Sequence, residues 1–103
     1  MANKKRGEVV VNIGGMDKVL KFTNNNICEI ETYFGDKPIH AIVQIIGVKV
    51  ARALLYFGIQ WEGKRPSIEQ VGDMMGNLKK LEYFTGKIGE ALNLYAGEDE
   101  PVE

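Results

Sequence analysis

Residues 39 to 59, IHAIVQIIGVKVARALLYFGI, are the most apolar stretch of the chain and constrain its fold more than any other feature. A membrane span needs about 20 predominantly apolar residues, and a charge near its centre costs about 2.5–3.5 kcal/mol on insertion scales. His40, Gln44, Lys49 and Arg52 all lie inside this stretch, the last two near its middle, so a spanning helix is not expected. As a helix of a water-soluble domain it reads well. Ile39, Ile42, Val43, Ile46, Val50, Ala53, Leu54 and Phe57 recur at spacings of three and four and so share one face. Pro38 opens the helix and Gly58 closes it. Ala41, Ile45, Val48, Leu55 and Tyr56 lie off that stripe, so the helix predicted over 38–57 is apolar around most of its circumference and must be surrounded. Gly47, in its middle, costs about 1 kcal/mol relative to alanine, and close approach of another element is the expected compensation.

The rest of the chain says what surrounds it. EVVVNI at 8–13 and KVLKF at 18–22 flank GGMD, which predicts a β-hairpin over about 8–22. Gly14-Gly15 is a turn rather than a phosphate-cradling loop, because no Gly-x-Gly-x-x-Gly spacing and no Lys-Ser/Thr pair accompanies it. TNNNICEIETYFG supplies candidate caps in Thr23 to Asn26, then Ile27, Ile30, Tyr33 and Phe34 at helical spacing, with Gly35 as a stop, so a helix is predicted over about 25–34. Ser67 and Gln70 have capping-box spacing, and Ile68, Val71, Met74, Met75 and Leu78 continue a stripe, giving a helix over about 67–76. A terminal helix over about 77–95 follows, with Leu78, Leu81, Phe84, Ile88, Leu92 and Tyr95 on one face. GIQWEGKRPS reads as the one loop between the halves, long enough to move and too short to separate two domains. The expected architecture is α+β and mostly helical: an N-terminal β-hairpin followed by a bundle of three to four helices. It is one domain over 1–103, with termini 1–6 and 97–103 disordered.

Charge and size limit the function. Thirteen basic residues stand against 14 acidic ones, for a net charge of −1, so no large field is implied. A 103-residue chain buries only about 60–65% of the surface its unfolded form exposes. Its stability is therefore modest, an exposed apolar face benefits from cover, and a homo-oligomer is one way to provide it. Lys4, Lys5 and Arg6 at the start, and Glu98, Asp99, Glu100 and Glu103 around Pro101 at the end, read as solvated termini. No apolar h-region follows the basic start, so a signal peptide is not expected and an intracellular location is. A single cysteine, Cys28, excludes an internal disulfide.

No catalytic constellation emerges. One Cys28 and one His40 exclude an all-Cys/His zinc site. Both lie on predicted helices that are mainly apolar, which favours structural roles over a nucleophile and its base. Ser67 is used as a cap, and Glu29 and Glu31, two apart, point to different sides of a helix. No enzyme, cofactor or metal is expected. DNA binding is the rival from another class, since SIEQVGDMMGNLKKLEYFTGKIGEAL outlines a helix, a glycine turn and a second helix. A recognition helix there offers Lys79, Lys80 and Lys87 and no arginine, on a chain of net negative charge, which is weak against the usual basic footprint.

The order GEVVVNIGG…KVLKFTNNNICEIETYFG, then an apolar helix ending ARALLYFGI, then a Trp-Glu-Gly loop, PSIEQVGDMM and a final amphipathic helix resembles the small tail assembly chaperone family of long-tailed phages. Within that family it is most similar to the branch also found in gene transfer agents, and the resemblance covers residues 7 to about 95. The chain departs from the family pattern at Asn24 to Asn26 and in the glycines Gly86 and Gly89 of the last helix. The resemblance implies a non-enzymatic phage or prophage protein of the bacterial host cytoplasm that binds the long, helical tape measure protein. It would keep that protein soluble until tail tube subunits polymerise around it, and be absent from the mature particle. Neither nucleic acid nor membrane is an implied partner. A structural protein of the tail or head-tail connector has the same sequence features and differs in fate. Candidate contact residues are the off-stripe Ile45, Val48, Leu55 and Tyr56, together with Trp61, Met74 and Met75. For each, a place in the core or at the end of the bundle is the competing assignment.

Overall fold

In the computed structural model, residues 3–97 are described. Strands β1 (Val9–Ile13) and β2 (Met16–Leu20) pair antiparallel in the register Val9↔Leu20 to Ile13↔Met16. Gly14 and Gly15 join them with φ of 62° and 79°, the pair of positive angles that a two-residue type I′ turn requires and glycine adopts without steric cost. Val9, Val11 and Ile13 alternate inward, and Leu20 and Phe22 continue the buried face.

Thr23 then starts α1 (Asn24–Tyr33). Its Oγ1 accepts the Asn26 N–H at 3.3 Å, and Asn26 Oδ1 accepts the Thr23 N–H at 2.9 Å, a reciprocal cap. Asn26 Nδ2 also donates to the Lys21 carbonyl at 2.9 Å, so the asparagine run fastens the helix start to the strand before it. Tyr95 Oη donates to Asn24 Oδ1 at 2.6 Å and ties the far end of the chain to the same place.

The central segment corrects the single helix expected over 38–57. It forms a short helix, α2 (Ile39–Ile42), a non-helical passage over 43–47, and α3 (Val48–Gly58). The break has a physical cause. Ile42, Val43, Ile45, Ile46 and Val48 are β-branched and crowd a helix, and Gly47 adds the poorest propensity short of proline. Gly47 does not admit a neighbour, because a Cβ built on it meets nothing within 4 Å; it is the N-cap of α3. Glu31 Oε2 accepts the Ile39 N–H at 2.7 Å, so this carboxylate caps α2.

Helix α3 packs against α1, α4 (Ile68–Met74) and α5 (Leu81–Ala96), and α5 also lies against β1. Ala51, Ala53, Leu54 and Leu55 of α3 are fully buried with Ile30, Val71, Phe84 and Ile88. Among the described residues no polar or charged residue is buried as a whole.

The segment expected to be one loop is fastened at its start. Ile59 bridges to Leu20, the Lys21 N–H donates to the Gly58 carbonyl, and the Gln60 N–H donates to the Val19 carbonyl at 2.8 Å. The C-terminal end of the free edge of β2 is thereby paired. Ser67 and Gln70 form the expected capping box of α4. Of the termini expected to be disordered, Lys4–Arg6 form a 3₁₀ turn capped by Asn3, and Gly97 is the left-handed cap of α5. Residues 1–2 and 98–103 lie outside the described residues. Among the described residues, no helix is long and apolar enough to cross a membrane.

Candidate functional site

An apolar opening lies where α4 hands over to α5. Helix α4 ends at Met74, Gly76 turns the chain with φ of 80°, and the Asn77 side chain accepts the Lys79 N–H at 3.1 Å. A 3₁₀ turn, Leu78–Lys80, follows before α5 begins. This tight connection throws Leu78 outward, leaving it 74% exposed. The first turn of α3 comes alongside with Val48, which is 52% exposed, and three residues before it Ile45 is 84% exposed. Between Val48, Met75, Leu78, Leu81 and Phe84 a cleft of about 170 Å³ opens to the surface, with Gly72, Gly76 and Asn77 also in its lining. A larger, shallower depression of about 560 Å³ runs along Lys64, Arg65, Pro66, Gln70, Asp73 and Met74, with charged side chains among the stems and rings that line it.

Two basic side chains lie against glycines of this lining, and Lys80 itself lines a separate depression with Asn12, Gly14, Met74, Tyr83 and Phe84. Arg52 lies along Gly72, where an added Cβ would sit 3.0 Å from its Cδ and 3.8 Å from Nη1. Lys80 lies over Gly76, where an added Cβ would sit 3.2 Å from Cδ and 3.6 Å from Nζ. Arg52 Nε is buried without a hydrogen-bond partner, a defect that costs about 1–3 kcal/mol when nothing compensates it. The ion pairs among the described residues are Lys4–Glu90 at 3.3 Å and Lys87–Glu90 at 3.9 Å, so neither Arg52 nor Lys80 has an acidic partner there.

The expected contact residues separate into three groups. Ile45 and Val48 are exposed, and Val48 lines the cleft. Leu55 and Met75 are buried, so Leu55 offers no surface and Met75 only a wall of the cleft. Leu55 lies inside because α3 packs against α1, α4 and α5, and Leu55 is wholly covered by that packing while Val48 is half in solvent. Tyr56, Trp61 and Met74 are half-buried and held within the fold. The Trp61 indole donates to the Tyr56 carbonyl at 3.0 Å, the Arg65 guanidinium stacks 4.4 Å over the Tyr56 ring, and the Met74 carbonyl accepts the Gly14 N–H at 3.2 Å. Leu78 was placed by sequence on the inward stripe of the helices it joins. The Gly76-Asn77 pair beside it is the signal that the stripe breaks there.

The glycine-turn-helix outline of 68–96 is present, but Lys79 and Lys80 fall in the turn before α5, and Lys87 is drawn to Glu90 and the Tyr83 ring. Cys28 and His40 are both exposed, on α1 and α2. Among the described residues, no group of three or more His, Cys, Asp and Glu is arranged to hold a metal ion. Comparison with family models, with characterised proteins and with solved structures finds no match for this chain.

Proposed function

We propose that this protein is a phage or prophage tail assembly chaperone that binds the tape measure protein and keeps it soluble while the tail is built, by protein contact and without chemistry. It acts in the bacterial host cytoplasm and leaves before the particle is complete. The observation that carries this reading is the exposed Val48 and Leu78 lining an open apolar cleft, with Ile45 exposed three residues before Val48, on a domain whose hairpin and capped helices follow the order of the sequence resemblance over residues 7 to about 95. A holder of apolar helices needs apolar surface that stays reachable from solvent, and contiguous patches of that kind mark interaction sites.

The test is co-expression with the tape measure protein encoded nearby, followed by size-exclusion chromatography with light scattering. The expected result is co-elution of the two, with a tape measure protein that is insoluble when made alone. Absence of association, together with this protein in purified particles, would replace the reading with a structural role in the tail or head-tail connector.

A further inference from the structure

We propose that residues 45–47 are a strap that winds onto the start of α3 and closes the apolar cleft, carrying Ile45 past Val48 to Leu78. The chain then alternates between the open arrangement described above and a closed one that covers this surface. The use of that cover, to hide the surface until a client displaces Ile45, rests on the chaperone reading; the closing motion stands on its own geometry.

Register shows where the strap would go. The Arg65 guanidinium lies over the Tyr56 ring, Arg52 lies along Gly72, and Val48 shares the cleft with Met75, Gly76 and Leu78. Going back along α3 therefore goes forward along α4 and past its end. Positions 45, 48, 52 and 56, at spacings of three, four and four, form one helical stripe. A turn added before Val48 places Ile45 on that stripe about 5.4 Å further along, level with Leu78 and the residues after it. Ile45 and Leu78 are the two most exposed large apolar side chains among the described residues, so their contact removes the most surface from water.

The backbone has a second use for the added turn. Gly47 offers α3 no side-chain cap, and the first hydrogen bond of the helix runs from the Ala51 N–H to the Gly47 carbonyl at 2.9 Å. The N–H groups of Val48, Lys49 and Val50 have no acceptor among the described residues. Winding supplies the carbonyls of Gln44, Ile45 and Ile46 to them in turn. What holds the strap open is equally local. Ile45 and Ile46 are β-branched, Gly47 is a poor helix former, and winding costs the freedom of three residues. Helix α2 stays tied to Glu31 through the Ile39 N–H, so the turn at Val43 and Gln44 extends to supply the length that winding takes up. With both sides of the balance resting on so few residues, one substitution at Gly47 moves it.

Disulfide trapping tests this. The pair I45C/L78C is oxidised at high dilution in a C28S background, which removes the exposed native thiol. The intramolecular disulfide is expected to form about tenfold faster with Gly47→Ala than with Gly47→Asp, because alanine favours the wound turn and aspartate caps the open one. The control pair K49C/L78C, whose first member is on α3 in both arrangements, is expected to oxidise at a rate that residue 47 leaves unchanged. In the trapped protein the Cα chemical shifts of Ile46 and Gly47 are expected to be helical. Positions 28, 45, 47, 49 and 78 are all exposed, so the variants keep the fold, as circular dichroism melts check. Equal trapping in the two Gly47 variants, or non-helical shifts in the trapped protein, overturns the proposal. A disulfide between two chains in place of the intramolecular one overturns it in favour of a second copy on this surface. If trapping follows residue 47 as expected but the tape measure protein is not held in solution, the chaperone reading has failed and the strap has not.

Discussion

At the C-terminal end of α3, Leu54 and Leu55 are wholly enclosed, Gly58 is pressed against Phe22 and Leu20, and the backbone beyond is hydrogen-bonded to β2. At the N-terminal end of the same helix, Gly47 faces open space and Val48 stands half in solvent across a cleft from Leu78. The residue types are alike at both ends. What differs is what returns to cover them: the chain after Gly58 comes back to pair with Leu20 beside the closed end, whereas Val48 and Ile45 at the other end stand in solvent. Hydrophobicity alone therefore does not divide core from contact surface here; enclosure does.

The largest effect that tests this contrast is Leu55→Ala. Truncation of a fully buried leucine leaves a cavity and is expected to lower stability by about 2–5 kcal/mol, read from the midpoint of urea unfolding at constant slope. Were Leu55 a surface contact residue, the loss would stay within about 0.5 kcal/mol.

This contrast was only partly legible in the sequence. The hairpin turn at Gly14-Gly15, the Thr23 cap and the Ser67–Gln70 box are settled within a few residues of chain, and the residues for each are present in order. The apolar period, by contrast, runs through Gly47 without interruption, so it could not report that the helix stops at Ile42 and restarts at Val48. Exposure of Ile45 and Val48 and burial of Leu55 depend on segments tens of residues away. The pairing of Ile59 with Leu20 is likewise non-local, and the sequence showed only a loop there. Of the cleft, sequence supplied Val48 and Met75 among its candidates and missed Leu78, which periodicity assigned to the inside.

Gly58→Ala probes the closed end more finely. An added Cβ would lie 2.7 Å from Phe22 Cε1 and 2.8 Å from Leu20 Cδ1, both on well-buried side chains with little room to give. Overpacking of this kind is expected to cost about 1–3 kcal/mol, against a smaller gain in helix propensity. A melting temperature equal to or above that of the parent would mean that β2 and the end of α3 do not approach as closely as the Leu20–Ile59 bridge requires.

Gly47 sharpens the open end, because substitutions there have opposite signs in the two arrangements that the sequence allows. As the N-cap of α3, with φ of −96° and ψ of −167°, position 47 favours a side chain that can accept the N–H of Lys49 or Val50. Gly47→Asp does that and adds a negative charge at the positive end of the helix, whereas Gly47→Ala does neither. The aspartate variant is therefore expected to be more stable than the alanine variant by about 1 kcal/mol, with the open space around Gly47 admitting either side chain. In one continuous helix over 38–57 the order reverses, since alanine is the best helix former and aspartate is among the poorer ones. The sign of the difference between the two variants thus reports whether the chain breaks before Val48, and with it whether Val48 and its neighbours face solvent or a sealed interior.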